Sequence, residues 1–260
     1  MLLTGAVLRV RCLGTFTFRS DSVWHMGPAF KRGREFLQYF VSYPRAAASR
    51  ETLVNAFWPS LDIDTAAHRL HIAAAGARAA LRDAAPSVDG IRCVNGAYVW
   101  DPSIAIESDA DCLLAASRGS SIEAMERAVS LYAGDYLAGE DAEWIYPLRV
   151  RCANAYAVIL ERLAEHAIAG GDWLGGLDYA MRLVEADRSH EGATRLVMRA
   201  LVATGQRCAA LAAYDALAKY LQLHVGLKPT VQTCDLWKSI LHGDASGITA
   251  ASGNASAGSF

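Results

Sequence analysis

The sequence has no apolar run long enough to cross a membrane, and no CxxC pair occurs among its six cysteines. Its first ten residues, MLLTGAVLRV, lack the positive start and the apolar stretch of a signal peptide. Scattered cysteines in a chain of this length predict free buried thiols in a reducing cytoplasm. The six positions are Cys12, Cys93, Cys112, Cys152, Cys208 and Cys234. We therefore predict a cytoplasmic globular protein with no membrane partner.

Signatures of catalysis and of cofactor binding are also missing. The sequence contains no Gly-x-Ser-x-Gly, no Ser/His/Asp arrangement, no dinucleotide fingerprint and no GxxxxGK[ST] phosphate loop. His68 and His71 have the i, i+3 spacing of a metal pair, but no carboxylate or cysteine is placed to complete the site. We therefore predict that the protein is not an enzyme and holds neither a metal nor a cofactor.

Charge is unevenly distributed along the chain, although the net charge is only -2. Residues 1–105 carry 12 Lys and Arg against 8 Asp and Glu, whereas the remainder carries 13 against 19. A basic first part is compatible with nucleic-acid binding, and an acidic second part is compatible with a protein partner.

The first hundred residues predict strands, three helices and a hairpin. VLRVRCLGTFTFRS alternates like two strands around Gly14, and the apolar spacing from residue 30 to 42 predicts a helix. A second helix is capped by Ser49, and Asp64 or Thr65 caps a long third helix that Pro86 closes. Its sequence is DTAAHRLHIAAAGARAALRD. Asn95-Gly96 then predicts a tight hairpin, which completes the element order of a winged helix.

The second half predicts helices with an internal repeat. GGDWLGGLDYAMRLVEAD from Gly170 aligns with TGQRCAALAAYDALAKYL from Thr204 at an offset of 34 residues. That offset is the period of tetratricopeptide (TPR) repeats, in which each helix pair buries its faces against its neighbours. The Gly-, Ser- and Ala-rich tail after residue 243 predicts disorder.

These motifs, in this order, resemble bacterial transcriptional activators of the SARP type, the Streptomyces antibiotic regulatory proteins. That family joins a response-regulator-type winged helix to a TPR-like bacterial transcriptional activation domain, BTAD. The matching segments are KRGREFLQYFVSYP, SRETLVNAFWP, GAYVWD, SLYAGDYLAGEDAEW, ERLAEHAIAGGDW and MRALVATGQRCAALAAYDALAKYLQLHVGLKPT. The resemblance implies a mainly α fold with small β-sheets. It places an N-terminal winged helix-turn-helix in 1–105, a TPR-like helical domain in 106–243 and a disordered tail in 244–260.

The resemblance also implies a function and partners. It implies a cytoplasmic, nucleoid-associated activator that binds double-stranded promoter DNA, contacts RNA polymerase and pairs as a homodimer. The long helix would dock in the major groove, and the wing would touch the adjacent minor groove or phosphates. The predicted DNA contacts are His68, Arg69, His71 and Arg78 in the long helix, Lys31, Arg32 and Arg34 at the first helix, Arg50 at the second, and Arg92 and Asn95 in the wing.

The long helix departs from the family's basic pattern. Ala67 and His71 stand where the family has arginine, and Ala75 and Gly76 stand where it has serine and arginine. Gly76 either allows another backbone to approach closely or marks a face that no longer reads DNA. Two alternatives therefore stay open: a TPR-type protein-interaction regulator with weakened or lost DNA binding, and a ligand-gated regulator that senses a small molecule in its helical domain.

Overall fold

The computed structural model describes residues 6–85 and 90–243, and its chain forms two compact units. The first unit contains residues 1–120 and 130–154, and the second contains 121–129 and 155–260. The strands are β1 Val7–Arg11, β2 Thr17–Arg19, β3 Ala48–Ser49, β4 Ile91–Val94, β5 Ala97–Trp100 and β6 Ala105–Ser108. The helices are α1 Lys31–Ser42, α2 Arg50–Phe57, α3 Ile63–Ala84, α4 Asp109–Arg118, α5 Ile122–Leu131, α6 Tyr146–Ala169, α7 Trp173–Ala186, α8 Glu191–Ala203, α9 Arg207–Tyr220 and α10 Val231–His242.

The N-terminal sheet has the strand order β2-β1-β6. β1 runs antiparallel to β2 and parallel to β6. Leu8 and Val10 are buried while Arg9 and Arg11 are exposed, so the alternation in the sequence separates a core face from a solvent face. The two strands predicted around Gly14 are thus present, and Gly14 has the positive φ that such a connection favours.

Three helices enclose an aromatic core in the first unit. The ring of Phe36 lies 4.9 Å from that of Phe40 and 6.3 Å from that of Phe57, measured between centroids. Ser49 caps α2 as predicted, because its hydroxyl accepts a hydrogen bond from the Thr52 N–H. These contacts join α1 to α2 and place α3 beside both.

The wing is the hairpin of β4 and β5, with β3 on its other edge. Asn95 and Gly96 form its turn with φ values of 51° and 80°, as the sequence predicted for a two-residue connection. Ala48 of β3 pairs with Tyr98 of β5, which anchors the hairpin next to the start of α2.

Residues beyond the wing complete the first unit. The Asp109 carboxylate accepts hydrogen bonds from the N–H groups of Cys12 and Leu13, at 2.7 and 3.1 Å. Arg149 donates to the carbonyl oxygens of Tyr136, Leu137 and Glu140 at 2.9–3.1 Å. The boundaries of the compact units therefore differ from the predicted domain boundaries. The domain ranges 1–105 and 106–243 stay a prediction. The predicted tail 244–260 lies outside the described residues.

The second unit is helical and repeats its geometry. Trp173 and Arg207, the first residues of α7 and α9, stand 34 positions apart, which is the predicted offset. Ala180 of α7 packs with Leu196 and Val197 of α8, and Met198 of α8 packs with Ala210 of α9. Each helix pair thus buries a small apolar face against the next pair, as in TPR-like folds.

Candidate nucleic-acid interface

The helix α3 begins two or three residues earlier than its sequence suggested. Asp62, rather than Asp64 or Thr65, is the N-cap, because its Oδ1 accepts a hydrogen bond from the Thr65 N–H at 2.9 Å. The backbone and side-chain bonds from Thr65 also lower the pKa of Asp62. The helix ends at Ala84, and the predicted stop at Pro86 lies outside the described residues.

One face of α3 is buried, and most of its side chains are small. Leu70 and Leu81 carry most of its apolar volume, and the other buried positions are alanines: Ala66, Ala73, Ala74, Ala77 and Ala84. At 3.6 residues per turn, these positions line the side that faces α1 and α2. Five of the nine alanines of α3 are therefore core positions, whereas Ala67 is half-buried and Ala75 is exposed.

The opposite face of α3 is exposed, and no lysine or arginine lies along its midline before Arg82 in the last turn. His68, Ile72 and Ala75 occupy the centre of that face, and half of the Ile72 side chain is accessible, at 50%. Arg69 lies on the edge next to α1 and is exposed. His71 and Arg78 lie on the other edge, next to the wing. The structure thus separates the four predicted residues of this helix into a centre and two edges.

Gly76 makes room for an aromatic ring. The ring of Phe30 lies between Gly33 of α1 and Gly76 of α3, and a Cβ atom added at either glycine would be 2.5 Å from its Cζ. The sequence allowed a close backbone neighbour at Gly76, but the neighbour is a side chain, of which 43% is exposed. Packing against Phe30 thus explains why position 76 is a glycine, so the glycine alone does not indicate that DNA binding has been lost.

A double-mutant cycle tests this packing. We expect Gly76→Ala in a Phe30→Ala background to raise the free energy of unfolding by about 1 kcal/mol, the ordinary gain of alanine over glycine in a helix. In the wild-type background the gain should be much smaller, because the new Cβ must displace the ring. Urea denaturation of the four proteins measures both effects. Equal gains in both backgrounds would contradict this explanation.

Arg78 ties the wing to α3. Its Nε donates to the carbonyl oxygen of Ile91 at 2.7 Å, and its guanidinium lies 5.8 Å from the ring centroid of Tyr98. On the same edge, the Tyr98 hydroxyl is 3.4 Å from Nδ1 of His71. Arg78 is half-buried in these contacts, so it positions the wing relative to the helix, and its contact with DNA stays a prediction.

The wing presents its turn to solvent. Asn95 and Gly96 are exposed, and Arg92 is exposed on β4. The Nε of Arg92 lies 3.4 Å from Oδ2 of Asp101. The pKa of Asp101 is lowered, mainly by the hydrogen bond from the Ser103 N–H and further by Arg92. The Arg92 side chain is half exposed while that of Asp101 is mostly covered, so Arg92 is accessible to a phosphate, and its contact with DNA stays a prediction.

The cations at the start of α1 have protein partners. Glu35 is buried, and its carboxylate oxygens lie 2.6 Å from Nη1 of Arg32 and 3.8 Å from Nζ of Lys31. Arg34 donates through Nε to Glu140 at 3.0 Å. The proposed DNA contacts of these three residues stay predictions, but each side chain already neutralises a buried carboxylate. Arg50 differs, since it is exposed directly after the cap of α2.

Sequence reasoning missed three residues that shape this region. Ile72 lies two positions after the buried Leu70, so the helical period alone would have placed it on the exposed face. Phe30 precedes α1 and gave no signal of its contact with Gly76. Glu140 gave no local signal either: it is buried and accepts hydrogen bonds from Arg34 and Gln38.

The cysteines and the titratable groups suggest no further site. None of the six cysteines, all of which lie in the described ranges, forms a disulfide. Cys12 and Cys152 are buried as predicted, and burial raises the pKa of Cys152 to about 11, but Cys93, Cys112 and Cys208 are exposed.

Within residues 6–85 and 90–243, no three His, Cys, Asp or Glu side chains gather where they could hold a metal ion. No helix in those ranges is both long and apolar enough to span a bilayer.

Comparison with known proteins adds family and fold. A family model for the bacterial transcriptional activator domain matches residues 105–241. Among solved structures, Mycobacterium tuberculosis EmbR in complex with a low-affinity phosphopeptide matches with a TM-score of 0.71 and 19% identity, over 91% of this chain and 65% of that chain. The C-terminal TPR-containing domain of a Plasmodium falciparum FK506-binding protein matches with a TM-score of 0.39 and 11% identity, over 52% and 89% of the two chains. No curated protein sequence matches.

The structure defines a mainly α protein with small β-sheets, in which an N-terminal winged helix-turn-helix precedes a TPR-like helical part. The chain belongs to the bacterial transcriptional activator domain family, whose model covers more than half of it. The predicted fold class and the SARP-type resemblance are therefore confirmed. This chain spans 65% of the EmbR chain that it resembles, and at 19% identity that likeness shows the fold alone.

Proposed function

We propose that this protein is a DNA-binding transcriptional activator without catalytic activity, which acts on the nucleoid in the cytoplasm. In this proposal α3 enters the major groove and the wing contacts adjacent phosphates or the minor groove. The observation that carries the proposal is the exposed face of α3 beside a wing that Arg78 holds in place. Membership of an activator-domain family supports it.

The proposal extends to protein partners. RNA polymerase contact and the pairing of protomers are assigned to the part of the chain after residue 105, which carries 19 acidic against 13 basic residues. An acidic surface favours encounter with basic regions of a partner and disfavours contact with DNA phosphates. This division leaves DNA to residues 1–105.

Binding to selected DNA tests the proposal. Duplexes would be enriched from a random pool with the full chain, and affinity would be measured beside scrambled duplexes at about 50 and 200 mM salt. We expect the wild-type protein to prefer the selected duplex, with an affinity that falls as salt rises. Arg69→Ala should weaken binding by roughly 5- to 150-fold if it contacts a base, or reduce the salt slope by about one if it contacts a phosphate.

Arg188→Ala is the matched control for Arg69→Ala. It removes one exposed positive charge from the second unit, so it should leave affinity and salt slope unchanged. A folded wild-type protein that binds selected and scrambled duplexes equally would overturn the proposal. It would favour a protein-interaction regulator that has lost DNA binding.

A second candidate function rests on a cleft within the helical unit. Its volume is about 530 Å³, and it lies between α7, α8 and α9. The lining is mostly apolar and includes Met181, Val184, Val197, Leu217 and Tyr220. One acidic and one basic side chain lie at the rim. Such a cleft fits a ligand-gated regulator. Thermal stabilisation by an apolar metabolite, lost on Val197→Trp, would support this candidate.

A further inference from the structure

Ile72 occupies an unexpected position for a helix that docks on DNA. It is a branched aliphatic side chain, half exposed at the centre of the free face of α3, with His68 one turn before it and Ala75 one turn after it. A single exposed isoleucine is ordinary on a protein surface. At the centre of a groove-facing surface, however, its chemistry decides which base edges can be accommodated.

The major groove offers one apolar group to such a side chain. Of the four bases, only thymine presents a methyl group there, at C5, whereas guanine presents two acceptors that suit a bidentate arginine. Around Ile72 the centre of the face has no arginine, lysine, asparagine or glutamine, and the exposed Arg82 lies roughly 15 Å further along the helix. Arg69 lies at one edge, and Arg78 at the other edge donates to the carbonyl oxygen of Ile91. Guanine opposite Ile72 would therefore lose its hydrogen bonds with water and gain none from that side chain.

On its C-terminal side, Ile72 has only short neighbours on this face of α3. Ala75 cannot extend beyond the helix surface, and Phe30 fills the space over Gly76 at the side of the face. Ile72 thus projects further from the centre of the face than the residue one turn after it. A thymine methyl is the partner that it can reach without leaving a polar base edge unpaired.

We propose that Ile72 is a specificity-determining residue that packs on the C5 methyl group of a thymine in each half-site. The inference rests on the proposed DNA-binding function and adds the base class that the centre of α3 selects. The half-site is T·A at the base pairs under Ile72, and guanine contacts fall away from that point, for example at the edge reached by Arg69.

Removing single methyl groups from the DNA tests the inference. In a duplex selected with the full chain, each thymine is replaced in turn by deoxyuridine, which lacks only the C5 methyl. Burial of one methyl group corresponds to about a fourfold change in affinity. We expect one or two positions per half-site to lose about that much with the wild-type protein. With Ile72→Ala, the same replacements should have no effect, and affinity for the thymine duplex should fall by a similar factor.

Controls separate the possible failures. Leu174→Ala removes an aliphatic side chain that is 67% exposed in the second unit, and it should keep the full response to deoxyuridine. Specific binding with no response to deoxyuridine, or with the same response in Ile72→Ala, would overturn the inference and leave the proposed function intact. If the wild-type protein showed no preference for the selected duplex, both the inference and the proposed function would be overturned.

Discussion

Replacing Phe36 with alanine should lower the free energy of unfolding of the first unit by about 3–5 kcal/mol. Phe36 is fully buried, and its ring meets those of Phe40, Phe57 and Tyr98 at centroid distances of 4.9, 6.3 and 5.4 Å. These rings belong to α1, α2 and the wing, so one cavity would loosen three elements at once. The loss is large compared with the total stability of a typical domain.

Urea denaturation followed by tryptophan fluorescence measures this loss. Four of the six tryptophans belong to the first unit: Trp24, Trp58, Trp100 and Trp144. Phe30→Ala is the matched control, because its ring is partly exposed and its removal should cost far less. DNA affinity should be lost with Phe36→Ala at temperatures where the first unit melts. A loss no greater than that of the control would show that the aromatic cluster does not hold the unit together.

Replacing Asp109 with asparagine should cost about 1–3 kcal/mol, because it leaves a buried backbone donor without an acceptor. The carboxylate accepts from Cys12 N and Ala110 N through Oδ1 and from Leu13 N through Oδ2. An asparagine has only one oxygen, and its NH₂ group would face an N–H group. The start of α4 would then be held less firmly against β1.

Asp111→Asn is the control for Asp109→Asn. It makes the same chemical change two residues later at an exposed carboxylate that accepts a hydrogen bond from Ser108 Oγ, and it should cost little. The free energies of unfolding of both variants can be measured by urea denaturation. Equal costs at the two positions would contradict the role given to Asp109.

The effect of Asp109 should also depend on pH. Burial raises the pKa of its carboxyl group, although the hydrogen bonds from Cys12, Leu13 and Ala110 act in the opposite direction. The folded protein therefore holds this proton more tightly than the unfolded chain does. The contribution of proton binding to stability is fully present below the ordinary aspartate pKa and is lost as the pH rises through the raised pKa. The wild-type advantage over Asp109→Asn should accordingly be larger in acid than at neutral pH.

Local features of the fold were predictable because short stretches of sequence determine them. The Ser49 cap, the turn at Asn95-Gly96 and the repeat of 34 residues each depend on residues close together in the chain. The N-cap of α3 was misplaced by two or three positions, since Asp62 and Asp64 can both serve as caps and only the backbone geometry chooses between them. Helix ends depend on such choices.

The roles of the basic residues were less predictable, because their partners are distant in sequence. Arg34 pairs with Glu140, which lies 106 positions away, and no local pattern announces that contact. Arg78 follows the reading face of the helix by period, yet its guanidinium turns to the carbonyl oxygen of Ile91. The period of the helix places Ile72 on the exposed face, but an uncharged side chain gives no local signal of a DNA contact. Tertiary contacts decide which cations stay free for DNA.

The chain enters each compact unit twice, because 121–129 belongs to the second unit and 130–154 to the first. A cut at residue 105 would take β6 away from β1 and expose an unpaired strand edge, which is a site for aggregation. A cut at 154 would leave α5 without the helices of its own unit. Recombination would need three crossovers to exchange either unit intact. Exchange of both units together needs no crossover inside the chain, so it leaves the packing of each unit intact.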